Sequence, residues 1–314
     1  MDALAKALTP QELQHCANRR ASGFSQFTLH IGSTYCVPYP SLRTETPFLY
    51  DAESFPLAQV LADTLRVADL SKLHVGHPLS KDKERLLAPL KQRGRRRQFH
   101  RTFDAFVTRH VIPMLHAQAL SQGILYTNQR RQGEPQDIVY RYQRFPEVTV
   151  VRPNEGATAP TCDLAAGHSF GTLRYHVPLT ATSGTNALYV ERRPGREDWH
   201  ALAAASPGLG HRFDGARCLR FRPRNGTADT AVSLDFRIVI TRAPGAGPGG
   251  GDDPDDLLCP PLLLQDRFFR DDLYEEVVVQ VGATPRSCMP GPVAMKRKGG
   301  SWRDFSRLFG ENML

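Results

Sequence analysis

The side chains best suited to chemistry lie between residues 161 and 237. Asp163 and the histidines His168, His176 and His211 supply one carboxylate and three imidazoles, and Arg174 adds a guanidinium. Carboxylates and imidazoles can ligate Fe(II), whereas a guanidinium binds carboxylates and phosphates. The interval from Asp163 to His168 does not match a ligand spacing expected on strands, so a metal site is one hypothesis and packed core histidines are the other. The sequence has no phosphate-loop or H-E-x-x-H motif.

A series of short motifs frames this region. They are Val150–Glu155 (VVRPNE), Pro178-Leu179-Thr180, Gly184-Thr185-Asn186, Glu191 with Pro194-Gly195-Arg196, and Ser233–Arg237 (SLDFR). Over residues 125–241 the chain thereby resembles the 2-oxoglutarate/Fe(II) oxygenases of the streptomycin-biosynthesis type. The resemblance implies a double-stranded β-helix, with Fe(II) and 2-oxoglutarate as the cofactors of active members.

The resemblance also implies where the iron ligands would stand. The H-x-D pair of the family falls on Thr161 and Asp163, its distal histidine on Arg220, and its 2-oxoglutarate-binding arginine on Ala231. Threonine is a poor ligand for Fe(II), arginine has no lone pair to offer, and alanine cannot bind a carboxylate. We therefore predict no cofactor, a relic metal position at Asp163, and a non-catalytic protein with a binding or structural role in a larger assembly.

Other positions near the implied site give further candidates. Ser233 and Arg237 match positions expected at the cofactor, and the expected binding residues are Arg174, Asn186, His168 and His176. Ligands of one iron lie only a few ångströms apart, so an arginine in that sphere can reach the remaining carboxylate. A guanidinium also supplies the positive charge that a metal would give. We predict a salt bridge between Asp163 and Arg220, joined by Arg174.

Two alternatives remain open. One is a 2-oxoglutarate/Fe(II)-dependent dioxygenase, a hydroxylase with rearranged ligands, which would bind both cofactors. The other is a nucleic-acid-associated protein, because residues 81–101 form a basic run. The polyanion-binding candidates in that run are Lys91, Arg93, Arg95, Arg96 and Arg97. A solvated loop leading into a helix is the simpler interpretation of the run.

The hydrophobic pattern predicts an α+β, mainly β fold. Short alternating or apolar runs predict strands at 138–142, 147–151, 173–177, 187–191, 217–221 and 232–241. Three-to-four spacing predicts helices over 55–70 and 99–120, the latter kinked at Pro113, and a capping box predicts another from Thr9. We expect a jelly roll, a cupin-like double-stranded β-helix backed by N-terminal helices, with two facing antiparallel sheets and the 99–120 helix on one of them.

Composition divides the chain into three parts. Residues 1–242 form the oxygenase-like domain, residues 243–258 a flexible Gly/Pro/Asp loop, and residues 259–314 an extension with a basic amphipathic tail. In that tail Trp302, Phe305, Leu308 and Phe309 fall on one helical face, which predicts docking on the domain or on a protein partner.

Charge, cysteine content and hydrophobicity indicate where in the cell the protein is expected. The chain has 314 residues, a net charge of +8 and six cysteines without a C-x-x-C pair. We expect no signal peptide, and no membrane span either, because no apolar run of about 18 residues occurs. Reduced thiols fit a cytoplasmic location, with organellar import left open.

Overall fold

The computed structural model describes residues 18, 37–75, 82–125, 136–243, 258–259, 273–281, 293–297 and 303–304. The helix predicted from Thr9, the loop 244–257 and the four apolar tail residues lie outside these ranges.

The described residues contain four α-helices and twelve strands. The helices are α1 (Leu57–Leu65), α2 (Lys83–Lys91), α3 (Arg97–Phe106) and α4 (Ile112–Ser121). The strands are β1 (Thr46–Leu49), β2 (Gln136–Gln143), β3 (Glu147–Val151), β4 (Leu173–Pro178), β5 (Leu188–Glu191), β6 (Trp199–Leu202), β7 (Leu209–Phe213), β8 (Arg220–Phe221), β9 (Ala231–Arg242), β10 (Tyr274–Val281), β11 (Val293–Arg297) and β12 (Arg303–Asp304).

Helix α2 corrects one sequence interpretation. A solvated loop was expected across the basic run, but Lys83–Lys91 is helical. The Asp82 side chain caps this helix by accepting a hydrogen bond from the Arg85 backbone N–H at 3.1 Å. Such a cap satisfies one of the backbone donors that lack a partner in the first turn of a helix.

Helices α3 and α4 follow one another through a π-helical turn, Val107–Val111. Pro113 lies at the start of α4. Proline lacks a backbone N–H, and its ring crowds the carbonyl four residues earlier, so an ordinary helical turn is disfavoured there. The π-helical turn therefore lies where the sequence predicts a kink.

Two antiparallel sheets make up the rest of the described fold. The larger has the order β1-β7-β4-β9-β2-β10-β11-β12, with β3 also paired to β9, and the smaller has the order β6-β5-β8. The small sheet packs over the large one, since Leu188, Val190 and Leu202 form a buried cluster with Phe213 of β7. The sheets do not close on each other, so the observed fold is mainly antiparallel β with helices, and the jelly roll is not confirmed.

The helices cover the opposite face of the large sheet. Phe103 of α3 meets Phe236 of β9 with 5.2 Å between ring centroids, and Tyr175 of β4 stacks on Phe236 at 5.0 Å. Alternate residues of a strand point to opposite faces, so Leu234 and Ile238 join the same core. The predicted packing of the helix over 99–120 on one sheet is confirmed.

The C-terminal part adds strands rather than a helix where it is described. Strand β10 pairs with β2, so it belongs to the large sheet. Strands β11 and β12 continue that sheet. The helical interpretation of the amphipathic tail, which covers residues 295–309, is therefore wrong for residues 295–297 and for Arg303–Asp304.

The described residues also show the state of three cysteines and whether any helix could span a membrane. Among the described residues, Cys162, Cys218 and Cys259 are buried free thiols. No helix in the described part of the chain is both long and apolar enough to cross a membrane.

Candidate functional site

Charged side chains line the face of the large sheet that looks toward the small sheet. In the register of β4 and β9, Arg174 lies directly opposite Arg237, and His176 lies opposite Asp235. Strand β3 places Glu147 on the other side of Asp235. Two arginines directly across from each other repel unless an anion lies between them. The strand register therefore requires a negative group at this point.

Asp163 supplies that group. Its Oδ1 accepts hydrogen bonds from Arg174 Nη1 at 3.0 Å, Arg220 Nη2 at 2.9 Å and Arg237 Nη2 at 2.9 Å. The Asp163 side chain is fully buried. The predicted ion pair between Asp163 and Arg220, joined by Arg174, is thus present, and Arg237 is a third partner. We call Asp163 with these three arginines the Asp163 cluster.

The loop before β4 holds Asp163 in place. The Asp163 N–H donates to the Gly215 carbonyl at 2.7 Å, and the Asp163 carbonyl accepts from the His168 N–H at 2.8 Å. Gly215 approaches so closely that a Cβ there would lie 2.5 Å from Arg174 Cβ and 3.0 Å from Asp163 Oδ2. The absence of a Cβ at Gly215 lets the loop after β7 pack closely against Arg174 and Asp163.

Electrostatics explain why the cluster stays charged. Burial alone would raise the pKa of Asp163, but Arg220, Arg237 and Arg174 outweigh it and hold that pKa well below its usual range. Burial, followed by the charge of Arg174, lowers the pKa of Arg220 to about 10. Burial and Arg237 lower the pKa of His168 to about 4, so this imidazole is neutral at pH 7. At neutral pH the four residues of the cluster carry three positive charges and one negative charge, and Arg174 is also paired with Asp235 at 3.4 Å and Glu147 at 3.1 Å.

A second buried carboxylate lies beside the cluster. Asp235 Oδ1 is 3.1 Å from His176 Nδ1 and 3.4 Å from Arg174 Nη2, and its Oδ2 is 3.7 Å from Arg222 Nη2. Arg222 also donates to Ser233 Oγ at 2.9 Å. Burial opposes ionisation of Asp235, but His176 and Arg174 keep its pKa well below the usual range. Arg174 therefore joins both carboxylates in one network.

The hydrogen bonds of the cluster differ from those of another buried arginine. Arg43 donates through Nε to the Pro38 carbonyl at 2.8 Å, through Nη1 to Asp214 at 2.8 Å and through Nη2 to the Phe170 carbonyl at 2.6 Å. In the Asp163 cluster, by contrast, Arg220 Nη1, Arg237 Nε and Asp163 Oδ2 are buried with no hydrogen-bond partner among the described residues. The Asp163 cluster therefore has buried donors and a buried acceptor that could still form hydrogen bonds, whereas Nε, Nη1 and Nη2 of Arg43 each donate one already.

The residues at the implied iron position do not fit a divalent cation. Thr161 and Arg220 pair through their backbones, at 3.0 and 2.8 Å, and the Thr161 hydroxyl points to the Cys162 carbonyl at 3.4 Å. The guanidinium of Arg220 occupies the carboxylate that a metal would need, and three positive charges would repel an added cation. Among the described residues, no group of three His, Cys, Asp or Glu side chains is placed to hold a metal ion.

The remaining predicted residues are distributed over several contacts. Asn186 accepts from the Ser183 N–H at 2.7 Å and so fixes the turn before β5. Ser233 contacts Arg222, and Ala231 is buried at the start of β9. His211 pairs with Glu45 at 2.9 Å rather than with Asp163. The structure thus brings together Asp163, Arg174, Arg220 and Arg237, whereas it pairs His176 with Asp235 and His211 with Glu45.

Sequence reasoning missed several members of this charged face. Side chains two residues apart on a strand point to the same face. This period places Arg222 on the face of Arg220, and Asp235 on the face shared by Ser233 and Arg237. That signal was available in the sequence. Glu45, which contacts His200 at 3.3 Å and His211 at 2.9 Å, carries no such signal because it lies more than 150 residues before them.

No family model matches this chain. A stretch of 108 residues is 31% identical to the streptomycin biosynthesis protein StrG of Streptomyces griseus. This match covers 34% of the chain and 50% of StrG, so the chain spans about half the length of that relative. A solved structure described as a non-heme monooxygenase, a ThoJ–Ni complex, is 13% identical with a TM-score of 0.38, and the match covers 64% of this chain and 77% of that one.

Proposed function

We propose that this chain is a protein of oxygenase-like fold whose charged inter-sheet site serves a binding or structural role and not iron-dependent catalysis. The partial similarity to StrG supports the fold, and the resemblance of residues 125–241 to the 2-oxoglutarate/Fe(II) oxygenases supports the same frame. The double-stranded β-helix remains part of this proposal. The observation that carries it is the convergence of three guanidiniums on Asp163 Oδ1.

The chemistry of the cluster favours anions over metal cations. Arg220 and Arg237 present buried N–H groups without partners among the described residues, and such groups donate to anions. A carboxylate shared by three guanidiniums has little remaining negative potential to attract Fe(II). With Ala231 at the position where the family holds its 2-oxoglutarate arginine, the co-substrate loses its bidentate partner there.

Metal content and turnover test the proposal together. Purified protein would be loaded with Fe(II) without oxygen, separated from free metal, and assayed for bound iron and for 2-oxoglutarate consumption. We expect iron far below one atom per chain and no consumption above a no-protein blank. Stoichiometric iron that Asp163→Asn removes, or 2-oxoglutarate consumption, would overturn the proposal in favour of a dioxygenase with rearranged ligands.

A gain-of-ligand variant serves as the matched control. The Thr161→His, Arg220→His double variant supplies imidazoles at both implied positions and removes the competing guanidinium. If this variant retains iron and the natural protein does not, the assay can detect a metal at this position. Circular dichroism of both proteins checks that the variant is folded.

A further inference from the structure

A second charged site lies away from the Asp163 cluster, where the basic run meets the turn between β2 and β3. A cavity of about 1030 Å³ opens there. Its basic lining consists of Arg93, Arg96, Arg97, Arg101 and Arg144. Glu275 is the acidic residue of the lining, and it pairs with Arg144 at 2.8 Å. Over the described residues, no carboxylate pairs with the other four arginines, so the cavity carries a strong net positive charge.

Aromatic contacts organise one wall of this cavity. The guanidinium of Arg96 lies over the Phe145 ring, 4.2 Å from its centroid. The His100 ring lies 4.7 Å from the same ring, and His100 Nε2 is buried with no hydrogen-bond partner among the described residues. A cation–π contact of this kind holds the arginine in a defined position. The wall is therefore ordered in advance of any ligand and has an unmet polar atom.

Helix α3 adds to the positive potential. It begins at Arg97, directly after the arginines at 93 and 96. The N-terminal end of a helix carries a partial positive charge and exposes backbone N–H groups, which together favour anions. The helix, the loop before it and the β2–β3 turn all direct positive charge into the same space.

We propose that this cavity binds a compact polyphosphate group, as found in inorganic polyphosphates and nucleoside triphosphates. Arginine is suited to this task because its planar fork matches two phosphate oxygens. The arginines surround one cavity of a size typical of small-molecule sites, rather than following an extended track as nucleic-acid backbones require. This proposal is independent of the one made for the Asp163 cluster.

Isothermal titration of the full chain with sodium tripolyphosphate tests the proposal. We expect saturable binding of one anion per chain that weakens as NaCl rises from low to physiological strength, since salt screens exposed charges. Arg93→Ala and Arg96→Ala should each weaken it by about tenfold, the size of one lost charge-assisted hydrogen bond. Arg93 is exposed, so its variant reports on binding even if Arg96→Ala disturbs the contact with Phe145.

Arg109→Ala is the matched control. Arg109 is exposed in the π-helical turn after α3 and does not line the cavity, so its removal should leave the affinity unchanged. Titration with ATP beside tripolyphosphate separates the two sources, because equal affinities mean that the phosphates alone are recognised. Absence of saturable binding, or equal loss on Arg109→Ala, contradicts the proposal. So does tighter binding of a single-stranded oligonucleotide, because that result indicates an extended nucleic-acid surface.

Discussion

The two faces of strand β9 are stabilised by different interactions, apolar packing on one face and buried ion pairs on the other. On the face toward the helices, Leu234, Phe236 and Ile238 are fully buried among apolar and aromatic side chains. On the face toward the small sheet, Asp235 and Arg237 are equally buried among charges. An apolar face depends on volume, whereas a buried charged face depends on the identity of each partner. The apolar face should therefore tolerate substitutions that keep its volume, whereas the charged face should be sensitive to the loss of any one ion-pair partner.

The largest expected effect tests the apolar face. Phe236→Ala removes a ring that contacts Phe103 and Tyr175, at 5.2 and 5.0 Å. A buried Phe→Ala change costs about 3–5 kcal/mol of the free energy of unfolding, because it loses burial and leaves a cavity. Urea denaturation followed by circular dichroism measures this loss. If Phe236→Leu costs as much as Phe236→Ala, volume is not what this face depends on.

A loss of similar size is expected from the charged face. Asp163→Ala leaves three buried guanidiniums without their shared anion, and breaking such a buried pair costs about 3–5 kcal/mol. Asp229→Ala is the control, because Asp229 pairs with Lys72 where both side chains are about half exposed. An exposed pair of this kind is screened by solvent, so its removal should cost far less than removal of Asp163. Equal losses from the two variants would mean that burial of the Asp163 cluster has no energetic consequence.

Substitution of Gly215, in the loop after β7 that contacts Arg174 of β4, should lower the stability of the fold by a smaller amount. In Gly215→Ala the new methyl group would lie 2.5 Å from Arg174 Cβ, so the loop or the strand must shift. Overpacking of this kind costs about 1–3 kcal/mol. Gly156→Ala is the matched control, since nothing lies within 4 Å of a Cβ there. Thermal melts of the two variants compare them directly, and indistinguishable midpoints would show that the loop adapts freely.

The smallest expected effect concerns pH. Burial opposes ionisation of Glu45, but its contacts with His200 at 3.3 Å and His211 at 2.9 Å lower its pKa to about 2. A carboxylate with a depressed pKa stabilises the fold above its unfolded pKa of about 4, and this stability is lost as pH falls toward the folded value. Between pH 5 and pH 3 the free energy of unfolding should fall less in Glu45→Gln than in the natural protein, by about 1–2 kcal/mol. Parallel curves for the two proteins would contradict the assignment.

Parts of this structure could be predicted from the sequence for clear reasons. Strands β3, β4 and β9 carry enough branched and aromatic residues to stand out, and the Phe-rich stripe of α3 marks its buried side. Strand β7 was missed because Gly210 interrupts its pattern. The Phe48 ring from β1 fills that space, and a Cβ on Gly210 would lie 2.3 Å from it. Phe48 of the neighbouring strand β1 therefore occupies the place where the alternating pattern of β7 lacks an apolar side chain.

The site shows the same division between local and distant information. Asp163 and Arg220 could be paired because the resemblance to the 2-oxoglutarate/Fe(II) oxygenases implies that both positions lie at one centre. The hydrogen bond from Arg237 to Asp163 and the contact of Arg174 with Asp235 both depend on the register of β4 and β9. The sequence alone does not fix that register. The cavity at Arg93 and Phe145 needed the structure, because its lining comes from three separate segments of the chain.

A double-mutant cycle tests most directly whether the guanidinium of Arg220 takes the place of a metal at Asp163. The free energy of unfolding would be measured for the natural protein, Asp163→Ala, Arg220→Ala and the double variant, with a chelator present throughout. We predict a coupling energy of about 1–3 kcal/mol, since the two side chains share a buried ion pair and removing Arg220 relieves repulsion once Asp163 is gone. Losses that add to within about 0.5 kcal/mol would contradict this account, because Arg220 would then contribute nothing to holding Asp163 in its charged state.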